Sequence, residues 1–385
     1  MQKVKLTVLA AALIAMAACK KDKTSSGTTQ TDECVVGRSG SPIEGQYIVA
    51  LDPGISSRST SAARVADIST SILKDNDIAS SAIQTSFGGD VGGFVARLTR
   101  EEALKLQSDP NVAIVEPDRI IALGTCFTVV APTLITWNIN KTGYGDGTGK
   151  TAWVMDTGID FDHPDLNVDK TRSKTFVSGT TTADDENGHG THVAGIIGAK
   201  NNTIGVLGVA SGASLISLRV LDKEGKGRLS YIIQALSYVN SNAKAGDVVN
   251  MSLGEDVISE TLDQQVQNTA NRGILIAIAA GNDSKPAVDF SPGRTNGQNI
   301  FTVSAVDSLG NFASFSNYGN DAVDFAAPGV RILSTYLDGR YARMSGTSMA
   351  APHVAGLLLL NGRNIKSSGT ALNDPDGTPD KIATK

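Results

Sequence analysis

The chain has 385 residues, with 34 Lys and Arg against 39 Asp and Glu, a formal net charge of −5. That length predicts two or three domains with a sizeable core, and 41% hydrophobic against 19% charged residues excludes wholesale disorder. There is no basic excess to grip phosphate backbones, so nucleic acid is excluded as a partner class, and the single long apolar run, at the amino terminus, excludes a multi-span membrane protein.

Lys3 and Lys5 precede an apolar run from Leu6 to Ala18. The run is too short to span a bilayer, which takes about 20 residues, and suits the core of a signal peptide, assigned to residues 1–18. It ends Ala15-Met16-Ala17-Ala18-Cys19. Small residues before a cysteine resemble a bacterial lipobox, with Met16 where that motif usually has Leu. Two outcomes stay open: a lipid anchor at Cys19, the only membrane attachment expected, or plain secretion after an A-x-A site. Export permits a disulfide. Cys34 and Cys126 have one possible pairing; nothing in the sequence shows that they meet, and free thiols remain the alternative.

Residues 19–44 are rich in Lys, Thr, Ser and Gly and read as a flexible linker. In 45–122, Tyr47–Leu51 reads as a strand, and Val65, Ile68 and Ile72 recur at helical spacing. A short strand falls near Ile83 and another at Phe94–Leu98. Thr99 with Glu102 forms a capping box that opens a second helix. After Pro110 a last strand covers Val112–Val115. The order β-α-β-β-α-β predicts a small ferredoxin-like α+β domain.

The pattern changes in 130–385. Ala152–Asp156, Leu215–Leu221, Val248–Leu253, Ile274–Ala280 and Ile300–Val306 are apolar runs suited to buried strands, with helical patterns at 229–243 and 258–272 between them. This alternation predicts an α/β fold, a three-layer αβα sandwich with a mostly parallel sheet. The end, 366–385, reads as polar and turn-rich, and Asp374-Pro375-Asp376-Gly377 as a plain turn.

In such sheets function collects at the carboxyl ends of strands. Asp156 lies there, in V-M-D-T-G-I-D (154–160). His189 lies in N-G-H-G-T-H-V-A-G (187–195). That segment lacks the second His at i+4 and the Glu of a zinc-protease helix; Gly188, Gly190 and Ala194 let other backbone come close. Ser348 lies in M-S-G-T-S-M-A-A-P-H-V-A-G (344–356), before a helix expected to begin near Met349 with Pro352 in its first turn. Its small neighbours Gly346, Ala350 and Ala351 leave the hydroxyl open, and the helix start offers N–H groups to an anion.

These three segments, in the order Asp, His, Ser, resemble the subtilisin-like serine proteases, whose triad order is an established template. The resemblance covers about 150–361, and the unit at 45–122 resembles the family's inhibitory propeptide. It implies a serine endopeptidase made as an autoprocessed zymogen, acting on peptides and proteins and blocked by its own propeptide. Ser348 would be the nucleophile, His189 its base, and Asp156 the group that fixes the imidazole. Asn282, in A-A-G-N (279–282), would donate to the oxyanion together with the Ser348 N–H. Self-cleavage would fall in 121–131.

Two softer sites follow from the same resemblance. Substrate would lie as an added strand between Gly225-Lys226-Gly227 and Ser252-Leu253-Gly254, with Gly281 walling a pocket and Ser291-Pro292 a cis turn beside it. Glu255 and Asp256 stand where the family often has another Gly, and read either as a solvated rim or as a preference for basic substrates. A-K-N-N-T-I-G-V-L-G-V-A (199–210) resembles a calcium loop. Asp165 and Asn202 side chains and the carbonyls of Lys200, Ile204 and Val206 would hold a structural Ca²⁺; an ion-free Asn-rich turn is the alternative. No organic cofactor is expected. His163, His192 and His353 read as locally bonded. The rival functions are a catalytically silent binding protein on the same scaffold and a lipid-anchored binding protein that works through 45–122; neither is favoured, because all four candidate catalytic residues are present.

Overall fold

The computed structural model describes residues 33–34, 40–56, 61–89, 91–122, 126–129, 135–254 and 257–385. The expected signal peptide, Cys19, most of the linker, residues 123–125 and 130–131 of the expected cleavage stretch, Glu255 and Asp256 lie outside these residues.

A two-residue strand β1 (Glu33–Cys34) precedes the amino-terminal unit, which runs β2 (Pro42–Leu51), α1 (Ala62–Asp75), β3 (Ile83–Phe87), β4 (Gly93–Arg97), α2 (Arg100–Gln107) and β5 (Val112–Ala122). This is the expected β-α-β-β-α-β order. The strands lie β5-β2-β4-β3, all antiparallel. Both helices start where polar side chains replace missing backbone partners. Ser61 Oγ accepts from the Arg64 N–H at 3.3 Å. Thr99 and Glu102 make the reciprocal box, at 3.2 Å from the Glu102 N–H to Thr99 Oγ1 and 2.8 Å from the Thr99 N–H to Glu102 Oε2. Val49, Leu51, Val65, Ile72, Leu73, Phe94 and Leu106 close a separate small core.

The larger unit is built on a nine-stranded sheet. Its strands are β7 (Thr151–Asp156), β8 (Lys174–Thr175), β9 (Ser214–Arg219), β11 (Val248–Met251), β12 (Leu275–Ala279), β13 (Ile300–Val306), β14 (Val323–Pro328), β17 (Lys366–Thr370) and β18 (Lys381–Thr384). They lie in the order β17-β18-β14-β13-β12-β11-β7-β9-β8, parallel except for β17 against β18. The expected polar tail therefore supplies the last two strands at one side of the sheet, β17 at the edge and β18 next to it, around its turn. The short strand β10 (Lys226–Arg228) joins instead the sheet of the amino-terminal unit. A second small sheet, β1-β6-β16-β15, contains β6 (Cys126–Val129), β15 (Ile332–Tyr336) and β16 (Arg340–Ser345).

Both faces of the main sheet are buried, and the period-two alternation of strands assigns each side chain to one of two cores. Ala152, Val154, Leu215, Val248 and Ala277 meet α3 (His189–Gly198) and α6 (Thr347–Asn361) on one face. Trp153, Met155, Ile216, Val249 and Ile276 meet α4 (Leu229–Asn242) and α5 (Glu260–Asn271) on the other. The chain thus forms the αβα sandwich read from the strand–helix alternation. From β7 it passes to β9 on one side, and later to β11 on the other, so the crevice beside the end of β7 is the topological switch point. No helix among the described residues is long and apolar enough to cross a membrane.

Ile276 is fully buried in a central strand, whereas Leu309 is 77% exposed. Ile276→Ala should destabilise the full-length chain by about 2–5 kcal/mol and lower its thermal midpoint, while Leu309→Ala should leave the midpoint within error.

Candidate active site

Neighbouring strands β7, β11 and β12 end side by side; Asp156, Ser252 and Asn282 lie at or just beyond these ends, and His189 and Ser348 lie at helix starts. Asp156 closes β7 and is fully buried. His189 opens α3 and is 1% exposed. Its Nδ1 lies 2.7 Å from Asp156 Oδ1; the same oxygen accepts from the Thr157 N–H at 2.7 Å. His189 Nε2 has no hydrogen-bond partner among the described residues.

Small residues make this approach possible. A Cβ on Gly190 would stand 2.1 Å from the Gly158 carbonyl oxygen and 3.0 Å from the Asp156 Cβ. One on Gly188, which has φ +105°, would stand 2.1 Å from the Tyr336 ring. Asp185 and Thr157 then tie strand to helix. Asp185 Oδ1 accepts from Thr157 Oγ1 at 2.9 Å, and Oδ2 from the Thr191 hydroxyl at 2.6 Å and N–H at 3.0 Å. Thr157 Oγ1 in turn accepts from the Gly190 N–H at 2.9 Å. Neither Thr157 nor Asp185 was singled out by sequence; the only signal was their closeness to Asp156 and His189 along the chain.

A second hydrogen-bonded group surrounds Ser348. Helix α6 begins at Thr347, not near Met349, so Ser348 lies inside the first turn and Pro352 inside the helix. The proline is tolerated for a specific reason. It lacks the N–H that would bond the Ser348 carbonyl four residues back, and Ser252 Oγ donates to that carbonyl instead, at 2.8 Å. Ser348 Oγ donates to the Ser252 carbonyl at 3.2 Å. Ser252, expected only to hold substrate, is therefore bonded to the candidate nucleophile. Asn282 Oδ1 accepts from the Thr347 N–H at 2.8 Å and hydroxyl at 3.0 Å. The carbonyl end of this amide is thereby fixed, which leaves its NH₂ to donate. The Gly281 N–H donates to Thr347 Oγ1 at 3.2 Å. Thr347 was missed in sequence because a threonine at a helix start is ordinarily just a cap.

The expected substrate edge is occupied by the chain itself. β10 pairs antiparallel with the end of β5, matching Lys226 with Ala122, Gly227 with Ile121 and Arg228 with Ile120. Gly225 sits in the turn before it, its N–H donating to the Asp222 carbonyl at 2.9 Å. Ile121 is fully buried in the apolar cluster that holds Leu229, Tyr231 and Leu253. Gly254 adjoins Ser291 and Pro292, which are joined by a cis peptide bond.

Two carboxylates of β5, unmarked in sequence, reach helix starts of the larger unit. Asp118 accepts from the Ser230 N–H at 3.1 Å and hydroxyl at 2.7 Å, at the first turn of α4, whose own N-cap residue, Arg228, makes no side-chain cap. Glu116 Oε1 accepts from Ser259, the N-cap of α5, at 2.8 Å. Negative side chains there complement the helix dipoles. Burial pushes the Glu116 carboxyl above its ordinary range, against the hydrogen bonds from Thr261 and Ser259.

Of the residues expected to hold calcium, Asp165 bonds Asn202 and the Val206 N–H. Asp165 is fully buried; its Oδ1 accepts from Asn202 Nδ2 at 2.8 Å and its Oδ2 from the Val206 N–H at 3.0 Å. No Lys or Arg pairs with it among the described residues, and burial raises its pKa. No donor among the described residues reaches the carbonyls of Lys200, Ile204 or Val206. A buried carboxylate and unbonded carbonyls are the kind of oxygen donors that suit a hard cation. Asn202 Oδ1 is engaged by the Ile204 N–H at 2.9 Å, so ligation by this amide requires that bond to be exchanged.

The other histidines are bonded locally. His192 Nε2 reaches the carbonyls of Ile332 and Ala342, at 2.9 and 3.1 Å, and burial holds its pKa down to about 3. His353 bonds the Met349 carbonyl and Asn138, and burial lowers it to about 4. His163 bonds the Arg340 carbonyl and the Asp165 N–H.

Known proteins agree with this architecture. Residues 147–368 match the family model described as the subtilase family, and residues 46–123 match the peptidase inhibitor I9 model. The thermostable alkaline protease of Halalkalibacterium halodurans is 38% identical over 297 residues, 75% of this chain and 79% of that protein. The thermophilic serine proteinase of Bacillus sp. (strain AK1) is 34% identical over 374 residues, 95% of this chain and 90% of that one. The crystal structure of a cold adapted subtilisin-like serine proteinase superposes with a TM-score of 0.58 at 34% identity, covering 65% of this chain and 98% of that one. The chain belongs to the subtilase family and is a subtilisin-like serine protease carrying an I9-type inhibitor unit.

Proposed function

We propose that the chain is an exported endopeptidase made as a self-processing zymogen, with signal peptide 1–18, linker 19–44, propeptide 45–122 and catalytic domain 130–385, either secreted or anchored through a lipid on Cys19. The observation that carries this reading is the buried Asp156–His189 hydrogen bond at 2.7 Å, with Nε2 of the ring left over for a proton.

The residues then act as follows. A hydroxyl is a weak nucleophile until a base removes its proton. Ser348 exchanges its bond to the Ser252 carbonyl for one to His189 Nε2, gives up its proton and attacks the scissile carbonyl. Asp156 holds the Nδ1–H tautomer and stabilises the imidazolium. The oxyanion takes hydrogen bonds from Asn282 Nδ2 and the Ser348 N–H, neither of which has an acceptor among the described residues. The imidazolium passes its proton to the departing amine, and water then cleaves the acyl-enzyme by the same route. Gly225–Gly227 and Ser252–Gly254 hold the substrate backbone as a strand, which demands little of its sequence. The pairing of β5 with β10 supports this, because the propeptide tail already uses one of these edges. Asp165, Lys200, Asn202, Ile204 and Val206 would hold Ca²⁺, which would offset the buried carboxylate and brace the loop after α3.

Three outcomes are expected. Expressed side by side, the wild type should shorten to a product that begins within 121–131, and Ser348→Ala should stay full length; a variant that is still cut would move the activity elsewhere. Asn282→Ala should lower kcat by about 10²–10³-fold with little change in KM, measured on a peptide anilide. Calcium at about 100 times its Kd should stabilise the protein by about 2.7 kcal/mol, seen as a thermal midpoint that falls with chelator and recovers with added calcium; Asp165→Asn should abolish the response.

A further inference from the structure

We propose that Cys34 and Cys126 form a disulfide that keeps the propeptide covalently attached to the enzyme after the chain has been cut. The backbone pairing carries the argument. β1 runs antiparallel to β6, and the register sets Glu33 opposite Phe127 and Cys34 directly opposite Cys126. Directly opposed residues of an antiparallel pair share one face of the sheet, with Cα atoms roughly 4.5–5.5 Å apart. A disulfide requires Cα atoms at about 4.4–6.8 Å, a range that includes the spacing of directly opposed strand residues.

The place of the two strands gives the bond its consequence. On its other edge β6 pairs with β16, Cys126 opposite Ser345, so it is fastened to the strand that leads into the Ser348 helix. β1 belongs to the chain that precedes the propeptide unit. The propeptide tail is still paired along the substrate edge at Ala122, while the chain has joined a different sheet by Cys126. A cut between these two points separates Cys34 from Cys126 in sequence, and the disulfide is then the covalent link that remains. This consequence rests on the proposed export and self-processing.

Formation balances as ordinary exchange with an oxidising disulfide of the extracytoplasmic space. One cysteine thiolate attacks that disulfide, the second resolves the mixed intermediate, and the oxidant leaves as a dithiol carrying the two electrons and two protons. Tethering makes rebinding of the inhibitor intramolecular, at an effective concentration on the order of millimolar. The cut enzyme therefore stays blocked until the bond is reduced or the propeptide is itself digested.

The test is peptide mapping without reductant, with free thiols alkylated, on the full chain exported to an oxidising compartment, as wild type and as Ser348→Ala. The expected result is a Cys34–Cys126 linked peptide in both proteins. The cut wild type should run as one species without reductant and as two with it. Cys34→Ser and Cys126→Ser should each shed the amino-terminal fragment without reductant. Alkylation of both thiols in Ser348→Ala, fragments that separate without reductant, or a mature amino terminus beyond residue 126 would overturn the proposal. If the wild type is never cut, self-processing fails, and the Ser348→Ala map still decides whether the bond forms.

Discussion

A carboxylate and an imidazole, each almost wholly removed from water, share one 2.7 Å hydrogen bond, and most of the surrounding structure is arranged to permit it. Burying such a pair is costly unless its polar atoms are matched. Asp156 Oδ1 takes a backbone N–H from Thr157 as well as the ring, while Oδ2 has no partner among the described residues. The ring reaches it only because Gly190 lets α3 press against the Gly158 carbonyl. Asp185 then clamps the same helix start through Thr157 and Thr191. The sheet supplies the remaining constraint, since adjacent parallel strands deliver Asp156, Ser252 and Asn282 to one edge.

The propeptide unit exploits the same surfaces. Its last strand extends along the edge that the mechanism assigns to substrate, and buries Ile121 in the apolar cluster beneath it. Its Asp118 and Glu116 satisfy helix starts that would otherwise present unpaired donors. The strand pairing with β10 and the contacts to the starts of α4 and α5 thus come from one docked strand, and on the proposed function that single interface would both block the cleft and support folding.

Much of this was legible in the sequence, for identifiable reasons. Strands β7, β9, β11, β12 and β13 sit in a sheet covered on both faces, so they read as continuous apolar runs. The Thr99–Glu102 box marked its helix because that motif is local. Asp156 and His189 were singled out because the short motifs around them, taken together with that of Ser348, resemble a known family, and the structure brings the two side chains into hydrogen-bond contact. What stayed hidden depends on partners distant in sequence. Thr347 and Ser252 acquire their roles only when α6 meets the ends of β11 and β12. Asp118 and Glu116 look like strand-edge carboxylates until α4 and α5 arrive. The start of α6 was misplaced because Pro352 reads as a first-turn residue, and its missing N–H is compensated by Ser252, a residue 96 positions away from Ser348. The edge strand β17 was hidden by its polar composition, and its neighbour β18 by its shortness.

The account turns on one acidic, one basic and one nucleophilic group working as a unit, and a serine-directed phosphonate reads that unit directly. Wild-type protein that has been processed and freed of its propeptide should take one phosphonate adduct per chain, mapped by mass spectrometry to Ser348, and His189→Ala in folded form should take none on the same timescale. Folded wild-type protein that stays unlabelled after its propeptide has been removed, or an adduct mapped to any other residue, would contradict it.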